Sequence, residues 1–596
     1  MANPFSAIWR DLKFGFRLMR VLSLMSDLKP DDSRTLVDDF EEVIDTNPEK
    51  VAFIFEGREI TYREFDECAN QIAAWGSSQG LSAGDVVALN LENSPEFVFV
   101  WYGLMKIGVA TALINTNLEG KGLYHCISIV DAKLIIAGGE QADRCKLCAS
   151  DSIAQLPLWD FDGVNGHDLA PALAKETTQR PSPKLRGQIL AKDTALFIYT
   201  SGTTGLPKAA KISHLKLRSV ARTAKALVKI GSKDRVYNAL PLYHITGGGL
   251  GLVGTLTAGA TMILRRKFSV SEFWDDVVDY KATLFVYIGE LCRYLEKAPD
   301  HPKQNKHQLR AGYGNGLRGE VWRSFIRRFK VPTMRELYGS TEGNVVFLNL
   351  DGTIGSIGQM PPWIGTKIGM EIVKFDVVDE QPVRGMDGFC IRVDVDEAGE
   401  VIGKISDEVG RQNFTGYHDK KATEAKILRN VFTKDDRWFR TGDLVRRDAN
   451  NYIYFVDRIG DTFRWKGENV ATNEVSDAMS NYKGIELANV YGIKIHGADG
   501  RAGMAAITVQ NDFSIAGLAD YLSDRLPAYA IPLFIRIQEK AETTGTFKFR
   551  KVELVKQAYD LSKIDDPIWF FEPGAGGYVE FDYTKQAMLE DGHYKL

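Results

Sequence analysis

The sequence predicts an α/β protein in two parts. A large N-terminal domain of parallel-rich sheets covered by helices is followed by a small α+β domain. Three observations point there. At 596 residues the chain exceeds one ordinary domain. Up to about residue 190, helical and strand patterns alternate, as parallel sheets covered on both faces require. From about residue 459 a shorter βα-rich run begins, with the look of a unit that folds by itself.

The first 30 residues carry apolar positions at helical spacing, Ile8, Leu12, Phe16 and Met19, with Arg10, Lys13, Arg17 and Arg20 between them. Those cations rule out a secretory signal. The pattern fits a basic amphipathic helix on an anionic membrane surface, and equally a helix packed on the protein's own body. "TYREFDECANQIAAWGSSQG" reads as a helix capped by Thr61 and stopped at Gly80. A buried strand "DVVALNL", a helix "PEFVFVWYGLMKIG" and a strand "VATALI" follow, and residues 175–193 read as an exposed connection. "ALFIYT" is an apolar strand that leads directly into "YTSGTTGLPK". Between Arg235 and Arg265 no charged residue occurs, long enough for a bilayer span. Its six glycines favour instead a buried glycine-rich helix leading into the strand "ATMIL". In the last part, "GENVATNEVSDAMSNY" reads as a turn and helix, "IELANVYGIKI" and "MAAITV" as strands, and "IAGLADYLSDRL" as a helix.

Composition narrows the function. Hydrophobic residues make up 44% and charged residues 26%, as in a globular protein with sizeable cores. A net charge of −4 argues against nucleic acid as a partner. Six thinly scattered cysteines suit a reducing compartment, and the lone pair Cys145 and Cys148 has neither a second pair nor nearby histidines to complete a metal site.

The stretch 199–208 points to phosphate. Gly202 and Gly205 let backbone amides approach an anion, Thr200, Ser201, Thr203 and Thr204 add hydroxyl donors, and Lys208 adds a charge. The glycine spacing is not that of a P-loop, and Pro207 biases Leu206 away from helical geometry. A nucleotide-hydrolysing motor is therefore disfavoured.

Further on lie "YGSTEG" (338–343), "RTGDLVRRD" (440–448) and "DRIGDTFRWKGENVATNEV" (457–475). Together with 199–208, their order and spacing resemble the acyl-adenylate-forming superfamily. "VYIGELCRYL", "GNGLRGEVW", "TGTFKFRKVEL" and the closing "YVEFDYTKQAMLEDGHYKL" narrow the resemblance to the fatty acid transport protein branch, the very-long-chain acyl-CoA synthetases. It covers essentially the whole chain, least diagnostically over the first 30 residues.

The resemblance implies the adenylate-forming fold, with residues 31–458 as the large domain and 459–596 as a small mobile one, rotating about a hinge at 458–461. It implies a ligase that joins a long or very long chain fatty acid to coenzyme A through an acyl-AMP, using ATP and Mg²⁺. The alternatives are an acyl-AMP ligase that loads a carrier protein, or a fatty acid uptake protein. A cytoplasmic enzyme, peripheral on the inner face of the membrane, is expected.

By resemblance, Thr200, Ser201, Gly202, Thr203, Thr204, Gly205 and Lys208 hold the β and γ phosphates, and Glu342 is the Mg²⁺ ligand, a hard oxygen donor. Tyr338 stacks on adenine beside Gly339, Ser340 and Thr341, and Gly314, Asn315 and Gly316 meet the base edge. Asp443 grips the ribose hydroxyls and Arg458 contacts the ribose or α-phosphate region. Lys548 is the adenylation lysine, preferred over Lys551 by its spacing to Leu554, although the glycine usual before that lysine is replaced here by Phe547. His244 gates the carboxylate, Thr246, Gly247, Tyr287 and Gly289 belong to the acyl pocket, and Lys466 and Gly467 face the pantetheine of CoA. Trp465 fits beside the pantetheine or in the core. Glycines 247 to 249 leave room for an acyl chain.

Overall fold

A computed structural model describes residues 4–596 other than 148–154, 162, 165, 201–205, 341–342, 362–363, 366–367, 378, 407–413, 415, 497, 499, 542–550 and 595, with side chains from residue 10 onward. Local chemistry sets several element ends. The helix Tyr62–Ser78 starts where Thr61 Oγ1 accepts the Glu64 amide and Glu64 returns to the Thr61 amide at 2.7 Å. It ends just before Gly80, whose φ of +80° suits glycine. The neighbouring helix Pro95–Lys106 lies so close that a Cβ on Gly103 would sit 2.4 Å from the Ala69 carbonyl oxygen.

Two sheets with parallel centres form the large domain. One runs Val346–Leu348, Met334–Gly339, Ala311–Asn315, Leu284–Ile288, Arg235–Asn238, Thr261–Leu264, Val51–Phe55, Arg58–Thr61; only its two edge pairs are antiparallel. The other places Thr194–Thr200 beside Ala110–Leu113 in parallel and closes with the antiparallel Lys208–Ser213. The expected parallel-rich architecture is thus present. A third, antiparallel sheet has no counterpart in the sequence reading: it includes Met370–Asp376, Ala398–Lys404, Arg437–Arg447 and Tyr452–Arg458. The C-terminal domain has its own five-stranded sheet and its own apolar core.

Residues 175–193 are pinned rather than merely exposed. Arg180 reaches the nearly buried Asp66 at 2.6 Å, and Asp66 also meets the completely buried Lys106 at 2.7 Å. The N-terminal helix Pro4–Leu24 lies on the large domain: Val21, Met25 and Leu28 pack with Leu215, Ala226, Leu348 and Leu350. Arg17 pairs with Asp351 at 3.4 Å. Its other face is open, with Leu12, Phe16 and Met19 more than half exposed.

The charge-free stretch after Arg235 is core, not a span. It forms a π-helix, Ile245–Val253, a short α-helix, Gly254–Thr257, and the buried strand Thr261–Leu264. Among the described residues no helix is long and apolar enough to cross a membrane.

Candidate active site

The phosphate-binding candidate is the tip of a β-hairpin. Thr200 and Lys208 are cross-strand partners, so both ends of the glycine-rich loop are fixed side by side, while Ser201 to Gly205 lie outside the described residues. The strands are braced from behind. The Tyr199 hydroxyl donates to the Cys126 carbonyl at 2.5 Å, and His125 Nε2 lies 3.0 Å from the Pro207 carbonyl. Lys208 Nζ sits 5.4 Å from the centre of the Tyr417 ring, a cation–π contact that orients the ammonium. Lys216, in the first turn of helix His214–Val228, donates to the Gly343 carbonyl at 3.0 Å and ties this region to residues 338–343.

Three neighbouring parallel strands end at the second half of the site. Leu284–Ile288, Ala311–Asn315 and Met334–Gly339 place Gly289, Gly314 to Gly316 and Tyr338 to Ser340 at their carboxyl ends, where open α/β sheets take ligands. Close backbone approach dictates the glycines here. A Cβ on Gly289 would lie 1.7 Å from the Gly316 oxygen, and one on Gly314 1.9 Å from the Tyr287 oxygen.

The third sheet brings Asp443 and Arg458 to the same place as a cross-strand pair. Asp443 accepts the Tyr338 hydroxyl at 2.6 Å, and Arg458 Nε lies 3.9 Å from its other oxygen. Burial and the Asp443 charge together push the Tyr338 phenol well above its usual range, so it remains a donor. On the opposite side, the Thr246 hydroxyl reaches Asn315 Oδ1 at 3.4 Å, and His244 Nδ1 accepts the Thr246 amide at 3.4 Å. Tyr338–Asp443–Arg458 and Asn315–Thr246–His244 are thus two polar groups, carried at the ends of the neighbouring strands Met334–Gly339 and Ala311–Asn315.

The Ser340 hydroxyl is buried with no hydrogen-bond partner among the described residues, two positions before Glu342. Thr341, Glu342 and Lys548 lie outside the described residues.

The small domain follows directly from Arg458. Gly460, in the turn between the domains, has nothing within 4 Å of its Cβ position. Lys551 Nζ is 3.2 Å from Asp461 and 3.1 Å from the Thr472 hydroxyl, so this lysine is engaged beside that turn. Lys466 (φ +53°) and Gly467 (φ +83°) form the exposed two-residue turn of the hairpin Phe463–Trp465 and Glu468–Val470. Trp465 belongs to the small-domain core. Helix Thr472–Ser480 leans on the large domain: Asp477 pairs with Arg318, Asn481 donates to Glu320, and Arg293 donates to the Glu486 carbonyl at 2.8 Å.

A model of the AMP-binding enzyme family matches residues 40–389. Long-chain fatty acid transport protein 6 of Mus musculus is 40% identical over 570 residues, 94% of this chain and 91% of that protein. Long-chain fatty acid transport protein 2 of Rattus norvegicus is 40% identical over 555 residues, 92% of this chain and 89% of its own. The chain belongs to the AMP-binding enzymes, in the long-chain fatty acid transport protein branch. Among solved structures, the anthranilate CoA ligase AuaEII with anthranoyl-AMP superposes with a TM-score of 0.75 at 20% identity, covering 91% of this chain and 100% of that one. ATP-bound MatB from Rhodopseudomonas palustris gives 0.73 at 22%, covering 88% and 99%. These establish the adenylate-forming fold.

The acyl side of this family member departs from expectation. Glycines 247 to 249 do not open a channel in the direction of their missing side chains. A Cβ on Gly247 would meet the Pro241 oxygen at 2.3 Å, and one on Gly248 the Leu242 oxygen at 2.2 Å. They let the π-helix pack against the preceding loop. Nor does Tyr287 line an open channel: it is wholly buried, and its hydroxyl lies 2.9 Å from both the Arg335 carbonyl and Glu336. Gly289 abuts the Gly316 backbone. The sequence reading missed Lys216, Tyr417 and Glu336. Lys216 was discoverable only in part, as a cation eight residues beyond Lys208; the other two acquire their roles through tertiary contacts.

Proposed function

We propose that this chain is a fatty acid–CoA ligase acting on long or very long chain acids. The connected group Tyr338–Asp443–Arg458 beside Asn315–Thr246–His244 is the observation that carries the reading. It supports a nucleoside site next to a histidine that caps the start of the apolar π-helix. The fatty acid carboxylate attacks the α-phosphorus of ATP, the bond to pyrophosphate breaks, and an acyl-AMP forms. The thiolate of CoA then attacks the acyl carbon and AMP leaves.

Charge grows on the phosphoryl oxygens in the first step, so catalysis rests on cations and donors already aimed there. Thr200 and Lys208 hold pyrophosphate, Asp443 accepts the ribose hydroxyls, Tyr338 stacks on the base, and His244 orients the carboxylate. Glu342 would hold Mg²⁺, the neighbouring unpartnered Ser340 hydroxyl fits such an oxygen-rich site, and the bound ion neutralises phosphate charge. Lys548 bridges carboxylate and α-phosphate. Rotation about Gly460 then presents the Lys466–Gly467 turn to the pantetheine.

CoA-dependent AMP release across acids from octanoate to very long chains tests the reading. A maximum at sixteen carbons or more supports it, while a product that stays acyl-AMP despite CoA, or no AMP at all, overturns it.

The exposed stripe Leu12, Phe16 and Met19, flanked by the exposed Lys13 and Arg20, supports attachment to the anionic inner face of a membrane. Changing all three apolar residues to serine should abolish flotation with vesicles containing phosphatidylserine. Unchanged flotation refutes the attachment.

A further inference from the structure

Glu336 lies under the nucleotide edge and belongs to no role assigned above. Tyr287, Gly314 and Glu336 are register partners in a row across three parallel strands. Because the middle position has no side chain, the outer two meet across it: the Tyr287 hydroxyl is 2.9 Å from Glu336 Oε2. The other carboxyl oxygen accepts the Leu317 amide at 3.2 Å, one residue beyond Gly316, whose φ is +80°. Glu336 is only 2% exposed.

The neutral acid fits these contacts. The Tyr287 hydroxyl has two oxygen neighbours at 2.9 Å, the Arg335 carbonyl and Glu336 Oε2, and a single proton to give. The carbonyl can only accept. If the tyrosine donates there, the remaining contact is satisfied only when the carboxyl donates to the tyrosine oxygen. A carboxylate here would be a buried charge with backbone amides and one tyrosine as donors and, among the described residues, no cation beside it.

We propose that Glu336 is a positioning residue held as the neutral acid, and that its chain Glu336–Tyr287–Arg335 carbonyl, with its hold on the Leu317 amide, fixes the turn Asn315–Gly316 against the adenine of ATP. The placement of adenine rests on the function proposed above. The surrounding groups agree with a neutral pocket. Burial pushes the carboxyl up to about 8, against the downward pull of the Tyr287 hydroxyl and the Leu317 and Gly316 amides and with no described cation nearby to oppose it further. Tyr287 and, from helix Gly289–Lys297, Cys292 are both raised well above their ordinary values by burial, so neither brings charge. The Arg335 guanidinium lies beside Gly352 and feels Asp351 and Arg17.

The test follows KM for ATP and the melting temperature from pH 6.5 to 9.5 in the full-length enzyme, for the wild type, Glu336→Gln and Glu336→Ala. Glutamine keeps a donor for Tyr287 and an acceptor for Leu317 without a titrating proton. In the wild type KM for ATP should rise roughly tenfold above pH 8 as the acid ionises, with kcat following less steeply. Glu336→Gln should fold, match the wild type at pH 7 and stay flat to pH 9.5. Glu336→Ala should raise KM roughly tenfold at every pH. A Gln variant that repeats the alkaline rise, or is as impaired as the Ala variant, overturns the proposal. The wild-type melting temperature should fall from pH 6.5 to about 8, where folded Glu336 keeps a proton that the unfolded chain has lost, and level off above; loss of that fall in Glu336→Gln without any change in KM overturns the link to ATP. Absence of fatty-acid-dependent AMP formation in the wild type counts against the functional reading, and the melting curves still decide the protonation state.

Discussion

Replacing Gly289 with alanine should damage adenylation far more than its single methyl group suggests. The new Cβ would be 1.7 Å from the Gly316 carbonyl oxygen and 2.4 Å from its carbon, both backbone atoms. Carbon and oxygen tolerate no such approach, so the two strands must part by roughly 1.5 Å at this point. Ile288 and Asn315, the register pair just before, would be drawn along. The strain should lower stability by about 1–3 kcal/mol, as overpacking of a tight core does. A displacement of about an ångström at the base edge should cost about 100-fold in rate, because the nucleotide is no longer presented in line. Fatty-acid-dependent ATP–pyrophosphate exchange measures the rate, and thermal melting measures the stability. Gly460→Ala is the control, since its Cβ position is open, and should leave melting unchanged. Wild-type exchange in Gly289→Ala with an unchanged melt would refute both the close approach and the placement of the nucleotide beside it.

Lys548→Ala should abolish acyl-AMP formation while a supplied acyl-adenylate still reacts with CoA; equal loss of both steps removes Lys548 from its assigned role. Lys551→Ala should instead lower the melting temperature of the small domain, through loss of its contacts to Asp461 and Thr472, and calorimetry reads this directly. Acid should destabilise the large domain through His214, which burial holds down to about 4 from an ordinary value near 6.5. The unfolded chain takes up that proton first, so stability is complete above pH 6.5 and is lost as pH falls toward 4, by on the order of 2–3 kcal/mol. Chemical denaturation of the wild type and His214→Gln between pH 7 and 4.5 should show a smaller slope in the variant.

How much of this could be read from the chain depended on the range of the interactions. Thr61 with Glu64, and Gly80 after them, announce a helix because capping chemistry lies within a few residues. The strand 194–200 was legible for the same reason, as an apolar run stopped by glycines. Tyr338 and Asp443 are 105 positions apart, and only the resemblance of their motifs paired them before the geometry did. The antiparallel sheet between residues 358 and 458 escaped notice because its strands are part polar and interrupted by irregular loops. Glycine was ambiguous by nature. At 247–249 it suggested open space and turned out to mark backbone contact, and at 314 it also lets two buried side chains meet. Glu336 drew no notice in the chain, and only its position in the sheet shows it to be buried.

The two-sided N-terminal helix has a mechanical consequence. Val21 on its inner face, with Met25 and Leu28 just past its end, packs with Leu215 and Ala226, on helix His214–Val228, and with Leu348 and Leu350, just past the strand bearing Tyr338. The N-terminal helix thus straps the helix after the hairpin 194–213 to the edge of the sheet that carries Tyr338. Cutting the helix away would bare an apolar seam and loosen that join together with any hold on lipid. Serines on the outer stripe leave the strap buckled, which allows anchoring and catalysis to be separated in this enzyme.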